Sequence, residues 1–430
     1  LISLLPPPVV PAPKVESDSG SDDLFPLDSS DSASSDSEAA DAALAEAPPG
    51  DGEDLISGLP DVLLTDIIHR LPTKDAARTA ALSTNWRRLW AVTPLLVDDA
   101  HLGDGGPKDI PIVRAVSRCV AAHPGPIGGV RITRVSFLSH EYALRRLVAT
   151  LADKDVKDLI LFNRPWPLNM PLPDDILRCA SLNRLYLGLW HLPKCTVCNK
   201  DLDALLAHCP KLEVLSVVML TNDTSRFRLV SHSLQVAVDW MARFDEFVVQ
   251  DAPCLKRLFL DPSAVDRKLI RIVGAPKLEV LGFIDLDLHD LEIGGTVIRA
   301  EVNVSARAMV PSLKILAVKV RFACNKMLPT LLKCFPHLET LHILSHLKTV
   351  VFHGSMSRTH EIECLMYILR EGKALKTVGM VWWDEEARNF RASGGTNSQV
   401  SFRDFTPCWR FQSAIDSSLD DPFYLVPAEA

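Results

Sequence analysis

The hexapeptide PKLEVL occurs twice in this chain, at residues 210–215 and 276–281. Three further stretches share its Pro-x-Leu-x-x-Leu pattern: PCLKRL at 253–258, PSLKIL at 311–316 and PHLETL at 336–341. Because only 30 of the 430 residues are proline, chance would place fewer than one such match in the chain. The pattern therefore indicates an internal repeat.

Looser copies without the proline extend the series in both directions. They are Ile132/Val135/Phe137, Val156/Leu159/Leu161, Leu182/Leu185/Leu187 and Leu375/Val378/Met380. Successive copies begin 23 to 43 residues apart, which is near or above the roughly 20–29 residues of a leucine-rich repeat. The longer gaps are expected to hide degenerate units, for example HSLQVAV at 232–238 and TVIRAEVNV at 296–304.

Each unit predicts a short strand whose alternate side chains, such as Leu258 and Leu260, face a shared core. Proline suits the strand entry because it lacks a backbone donor there. The apolar helical stripes of DLDALLAHC (201–209) and NKMLPTLLKCF (325–335) predict helices in an outer layer. Because no unit covers its own apolar face, we expect the units to stack into a curved α/β solenoid with a parallel sheet.

The charge distribution separates an acidic tail from a nearly balanced remainder. Residues 1–54 hold 13 Asp and Glu and only Lys14 as a basic residue, which predicts a disordered Ser/Asp-rich tail. The other 376 residues carry 45 Lys and Arg against 41 Asp and Glu. That balance is too weak to indicate nucleic-acid binding.

Ten scattered cysteines are typical of a protein whose thiols stay reduced inside a cell. The opening LISLLPPPVVPAPK lacks the features of a signal peptide, and no later stretch is long and apolar enough to cross a membrane. We therefore expect a soluble protein of the nucleus or cytoplasm, without a membrane partner.

Residues 55–95 predict three short helices. Pro60 fits the first turn of the first helix, in which Leu63, Ile67 and Leu71 recur every fourth residue. Pro72 should end this helix, and Thr73 should cap the second.

Ser83 should cap the third helix, which carries Trp86 and Trp90 on one face. A unit of about 40 residues cannot bury all these apolar side chains by itself. Several leucines left in water would favour association with a partner, so the unit is expected to be a docking element.

LISGLPDVLLTDIIHRLPTKDAARTAALSTNWRRLW, residues 55–90, closely resembles the F-box of plant F-box proteins. The resemblance implies binding to the Skp-type adaptor of a ubiquitin ligase and, through it, to cullin and RING subunits. Ten residues stand at family positions that form the adaptor contact or its supporting core, and the sequence alone does not divide them between these roles. They are Leu59, Pro60, Leu63, Ile67, Leu71, Pro72, Leu82, Ser83, Trp86 and Trp90.

The repeat region that follows resembles the leucine-rich-repeat region of plant F-box proteins, for example in FVVQDAPCLKRLFLD at 247–261. Residues 346–380 are similar to the FBD segment that often follows these repeats. The expected domains are therefore the F-box at 55–95, a solenoid at 96–345 and an FBD-like repeat at 346–383. Residues 384–430 have no assignment.

Residues between the core leucines should point to the concave side of the solenoid, where a target protein would bind. Aromatic and arginine side chains are enriched at binding hot spots. The candidates are Arg184, Tyr186, Arg257, Phe259, Thr340 and His342.

Catalytic and metal-binding patterns are weak. Cys195, Cys198, His208 and Cys209 superficially suggest zinc, yet Cys209 precedes Pro210 within a repeat, where a small buried thiol fits. No sequence motif indicates a metal, a cofactor or a catalytic centre.

The favoured hypothesis is a non-enzymatic subunit that recruits an unknown target to a ubiquitin ligase. Two alternatives stay open, an interaction scaffold not engaged with a ligase and a small-molecule receptor of F-box type.

Overall fold

The computed structural model describes residues 56, 58–102, 109–163, 170–192, 201–220, 226–240, 242, 244–260, 267–285, 288–294, 296–298, 310–320, 331–345, 377–382, 399–404 and 419–423. Within these ranges, short helices and strands follow one another along the chain. No helix of the described part has the length and apolar character required to cross a membrane.

The main helices of the described residues are α1 (Asp61–Arg70), α2 (Thr73–Thr79), α3 (Thr84–Val92), α4 (Asp109–Ala122), α5 (Glu141–Asp153) and α6 (Asp201–His208). Residues 331–333, within the predicted helix NKMLPTLLKCF, are also helical. The strands are β1 (Leu95–Asp98), β2 (Ile127–Ile132), β3 (Asp158–Phe162), β4 (Arg184–Gly188), β5 (Val214–Val218), β6 (Arg226–Val230), β7 (Val236–Trp240), β8 (Glu246–Asp251), β9 (Arg257–Leu260), β10 (Lys268–Ile272), β11 (Val280–Asp285), β12 (His289–Ile293), β13 (Thr296–Ile298), β14 (Ile315–Val320), β15 (Thr340–Ser345), β16 (Thr377–Trp382) and β17 (Gln399–Asp404).

Twelve strands form one parallel sheet in the order β1-β2-β3-β4-β5-β7-β9-β11-β14-β15-β16-β17. The last leucine of a Pro-x-Leu-x-x-Leu motif pairs with the equivalent position on the next strand, as Leu281 pairs with Leu316 and Leu316 with Leu341; on β7 that position is Ala237. These leucines are at most 1% exposed. The predicted solenoid of stacked repeats is confirmed, and HSLQVAV supplies β7 as one of its units.

The proline of the repeat motif has a different role from the predicted one. In each of the five motifs, the carbonyl of the residue before the proline accepts a hydrogen bond from the backbone N–H of the leucine two residues after the proline. Examples are Leu278 N–H to Ala275 O (3.2 Å) and Leu255 N–H to Ala252 O (3.1 Å). Proline thus occupies the second position of a β-turn, where its fixed φ favours the turn. The strand begins only four residues after the proline.

The outer layer changes from helices to strands along the array, which corrects the prediction of outer helices alone. Helices α4, α5 and α6 pack on the first repeats, and DLDALLAHC forms α6 as predicted. Between residues 226 and 298, however, a second sheet lies on the same core, in the order β13-β12-β10-β8-β6.

The second sheet follows from sequences such as RFRLV and KLIRI, which alternate apolar and polar side chains with the period of a strand. The expected degenerate unit TVIRAEVNV contributes β13, which pairs antiparallel with β12 in this outer sheet rather than extending the main one.

Several predicted segments lie wholly or partly outside the described residues. They include the acidic tail 1–54 and most of the FBD-like segment, of which β16 is described. Strand β16 continues the main sheet beside β15, and β17 follows it from the part of the chain without a sequence-based assignment.

The three N-terminal helices join the solenoid without a linker, because α3 ends at Val92 and β1 begins at Leu95. The sequence predicts that Thr73 caps α2, but this prediction is wrong. The Thr73 hydroxyl instead donates to the carbonyl of Leu96 (3.0 Å). Ser83 does cap α3, accepting from the backbone N–H of Trp86. These contacts fix the helical unit on the first strand.

A second contact across this joint involves Trp90 and His123. Their rings meet edge to face, with centroids 4.8 Å apart, and His123 Nε2 lies 3.0 Å from the carbonyl oxygen of Thr93. Burial lowers the pKa of His123 from its usual value, and the ammonium of Lys154 acts in the same direction. The imidazole is therefore held neutral beside the joint.

Replacing Leu258 by alanine should lower the free energy of unfolding by about 2–5 kcal/mol, because it leaves a cavity in the fully buried leucine ladder. Val273→Ala is the matched control, since that side chain is 57% exposed and its loss should cost little. Denaturant unfolding of both variants measures the difference. Equal losses of stability would contradict the ladder as the main source of cohesion.

Acidification should weaken the joint through His123. Because its folded-state pKa is lowered, the unfolded chain binds this proton first, so stability should fall as pH decreases from about 6.5 towards the lower folded-state value. In His123→Gln, unfolding free energies measured between pH 7 and pH 5 should depend less on pH. Identical pH dependence in both proteins would refute the role of this residue.

Candidate functional site

The helical unit has a small core of its own. It consists of Leu64 and Ile68 from α1, Ala76 from α2, and Trp86 and Leu89 from α3, none of which is more than 4% exposed. Five buried residues are few for an independent domain. The unit therefore depends on the solenoid, which it contacts through Trp90.

Four large apolar side chains are exposed just before α1, in its first turn, and in the turn that connects α2 to α3. The exposed fractions are 36% for Leu59, 79% for Val62, 49% for Leu63 and 67% for Leu82. Large apolar side chains exposed together are typical of interaction sites. We name these four residues the apolar docking face.

The ten predicted adaptor-binding residues divide between surface and support. Leu59, Pro60, Leu63 and Leu82 are exposed, whereas Trp86 is buried in the helical core. The remaining five are partly buried; they are Ile67, Leu71, Pro72, Ser83 and Trp90.

Sequence reasoning missed the exposed apolar residues Val62, Ile56 and Val92. One sequence feature could have indicated that Val62 is exposed: it directly precedes Leu63 in a helix with apolar residues on two sides.

Charged groups tie α1 to α3 at the edge of the apolar docking face. The guanidinium of Arg88 and the amide of Asn85 both donate to the Asp61 carboxylate. These hydrogen bonds, with that of Arg88 the stronger, lower the pKa of Asp61. The carboxylate stays ionised near neutral pH, and the face has a polar rim.

The concave side of the sheet differs from the prediction. Tyr186 and Phe259 were expected to face solvent, but they are 4% and 0% exposed. Both belong to a second apolar cluster on this side of the sheet, together with Phe162, Val238 and Phe283. Burial also raises the pKa of Tyr186 to about 12. These aromatic side chains pack within the protein, so they do not form the open surface that the alternation suggested.

The other four predicted target-binding residues are more accessible. Arg184 is exposed and forms an ion pair with Asp158 on the neighbouring strand (3.1 Å), and Thr340 is partly buried. Arg257 and His342 both contact a short segment near the C-terminus, residues 419–423. No local sequence pattern predicts this contact, because the partners are separated by up to 162 residues.

The weak zinc pattern finds no support in the described residues. Cys195 and Cys198 lie outside them, and His208 is exposed on α6. Cys209 is buried, and its Sγ–H donates to the Cys179 carbonyl (3.6 Å). Burial raises the pKa of Cys209 to about 11, which disfavours the thiolate that zinc needs. Within the described part of the chain, no three His, Cys, Asp or Glu residues are grouped to hold a metal.

Three family models match the chain. The model for the F-box domain matches residues 56–97, which include the apolar docking face. The model described as "FBD-associated F-box protein At5g56370, LRR repeats" matches residues 144–343, and the FBD model matches residues 337–380.

Similar curated proteins come from Arabidopsis thaliana. F-box/FBD/LRR-repeat protein At2g04230 is 30% identical over 215 residues, or 43% of this chain and 46% of the relative. F-box/LRR-repeat protein At3g59200 is 33% identical over 173 residues, or 38% of this chain and 31% of the relative. F-box/FBD/LRR-repeat protein At1g13570 is 24% identical over 263 residues, or 56% of both chains.

This chain spans about half the length of the first relatives that it matches. The F-box model covers the helical unit, the repeat model covers much of the repeat array, and the FBD model covers the segment with β15 and most of β16. The chain therefore carries an F-box, leucine-rich repeats and an FBD segment, the domains named in the plant F-box/FBD/LRR-repeat proteins to which it is similar.

Proposed function

We propose that this chain is the substrate-recognition subunit of a Skp-cullin-F-box ubiquitin ligase. The apolar docking face carries the proposal: Leu59, Val62, Leu63 and Leu82 stay exposed although the F-box is folded and joined to the repeats. In this proposal the Skp-type adaptor covers that face and brings the cullin and RING subunits with it.

The repeat array would hold the target protein. Because α3 runs directly into β1, the F-box and the first repeat form a firm joint, supported by the Thr73 and Trp90 contacts. A target bound to the array would be kept near the ubiquitin carrier, which raises its effective concentration there.

Proteins with an F-box and leucine-rich repeats are typically non-catalytic adaptors. We therefore assign the chemistry of ubiquitin transfer to the other subunits, and we place this chain in the nucleus or cytoplasm, where such ligases work.

Adaptor binding should be lost when the apolar docking face is made polar. A leucine that becomes buried in a complex contributes roughly 1.5–3 kcal/mol, so Leu63→Asp and Leu82→Asp should each weaken adaptor binding by about tenfold or more. The measurement is capture of the purified full chain on an immobilised Skp-type adaptor, with dissociation constants from titration.

The matched control is Leu138→Asp, which places the same charge at a leucine that is 55% exposed on the repeat array. It should bind the adaptor as the unmodified chain does. If the unmodified chain does not bind any Skp-type adaptor, the scaffold alternative is favoured. Equal weakening by all three variants would mean that the charge acts on folding and not on the face.

A target should accumulate when the ligase connection is removed. Proximity labelling with the full chain in plant cells, under proteasome inhibition, should label a target protein that the Leu63→Asp/Leu82→Asp variant also labels. Without the inhibitor, this target should be more abundant in cells expressing the variant, because the variant binds it but does not deliver it. Unchanged abundance would argue against degradation as the outcome.

A further inference from the structure

A short segment near the C-terminus, Leu419–Phe423, lies against the concave side of the sheet. The Phe423 side chain is only 8% exposed. Its ring centroid lies 5.5 Å from that of Phe259, 4.9 Å from that of Phe283 and 5.4 Å from that of His342. These partners belong to β9, β11 and β15, so one ring is enclosed by three repeats.

Gly282 on β11 makes room for this ring. A β-carbon at Gly282 would lie 2.7 Å from Phe423 Cζ and 2.6 Å from Ala317 Cβ, both closer than real contacts allow. Gly282 also pairs directly with Phe259 across the sheet. The concave side therefore has a recess at this point, with a floor of bare backbone and walls of aromatic side chains.

Polar groups fix the orientation of the segment beside the recess. His342 Nε2 lies 2.8 Å from one oxygen of the Asp421 carboxylate and 3.1 Å from the other. The carboxylate oxygen at 3.1 Å also accepts the backbone N–H of Phe423 (3.0 Å), which holds the carboxylate and the ring in one turn. Arg257 donates to the carbonyl oxygen of Leu419. The segment thus presents a carboxylate, a ring and a carbonyl to three matching groups.

The contact is built like peptide recognition and is small enough to exchange. It comprises the buried Pro422 and Phe423 side chains, one histidine–carboxylate contact and one hydrogen bond to a backbone carbonyl, while Leu419 and Asp420 stay exposed. A tethered segment occupies such a site because the chain keeps its local concentration high, in the millimolar range for flexible links. A second peptide with the same groups competes when its own affinity is sufficient.

We propose that this recess is a recognition site for peptides with a carboxylate two residues before an aromatic ring, and that residues 419–423 occupy it in the isolated chain. A target protein that carries such a motif displaces the segment. Recognition of a target rests on the proposed ligase function, whereas the peptide site and its internal occupant do not.

A labelled peptide of residues 417–424, SSLDDPFY, tests the site by fluorescence anisotropy with the full chain. The unmodified chain should bind it weakly, because the site is occupied. Asp421→Ala/Phe423→Ala should bind it about tenfold or more tightly, because the internal occupant is weakened. Adding His342→Ala should remove most of this gain, and a peptide with alanine in place of its phenylalanine should not bind.

A second measurement uses the unmodified chain and does not depend on the folding of variants. Millimolar peptide should increase hydrogen exchange within residues 419–423, and the alanine peptide should not. The proposal is overturned if the double variant binds no better than the unmodified chain, if His342→Ala makes no difference, or if the peptide leaves exchange unchanged. Adaptor capture by the same variants is measured separately, so a failure of the ligase proposal is distinguishable from a failure of the peptide site.

Discussion

The fold depends on stacking a leucine from each repeat onto its equivalent in the next. No repeat covers its own apolar side, so each strand depends on the repeats packed beside it. The leucines of this ladder, Leu185, Leu215, Leu258, Leu281 and Leu316, are almost completely buried, and Ala237 takes the equivalent position on β7 between Leu215 and Leu258. The ladder also supports the F-box, whose own core is too small to stand alone, and it positions the side chains that form the concave recess.

The repeat motif predicted most strands of the main sheet, because its leucines are fixed by contacts between equivalent residues in adjacent units. It did not predict β1, β2 or β17, and the expected copy Ile132/Val135/Phe137 begins where β2 ends. The outer layer was harder to predict. Strands such as KLIRI alternate polar and apolar residues over only five positions, and the search for leucine motifs and helical stripes passed over them. Their burial depends on the shape of the core beneath them, which short stretches of sequence do not specify.

The two candidate sites differ in how far the sequence could define them. The F-box motif located the docking element, but α1 has adjacent leucines at 63 and 64, and only packing against Trp86 and Leu89 decides that Leu64 faces inwards. On the concave side, strand alternation correctly placed Tyr186, Phe259 and His342 on one face of the sheet, yet it wrongly predicted Tyr186 and Phe259 to be open. The burial of Phe423 among these strands is a long-range contact, and no local pattern indicates it.

Because α3 is followed almost directly by β1, the number of strands between the F-box and any point on the solenoid sets the distance of that point from the F-box. Adjacent strands are about 4.8 Å apart, and six strand steps separate β1 from β9, where the recess begins. This places the recess roughly 30 Å along the sheet from the F-box end. Gain or loss of one repeat between these points would change that distance by one strand spacing and, under the proposed function, alter which lysines of a bound target come within reach of the ubiquitin carrier.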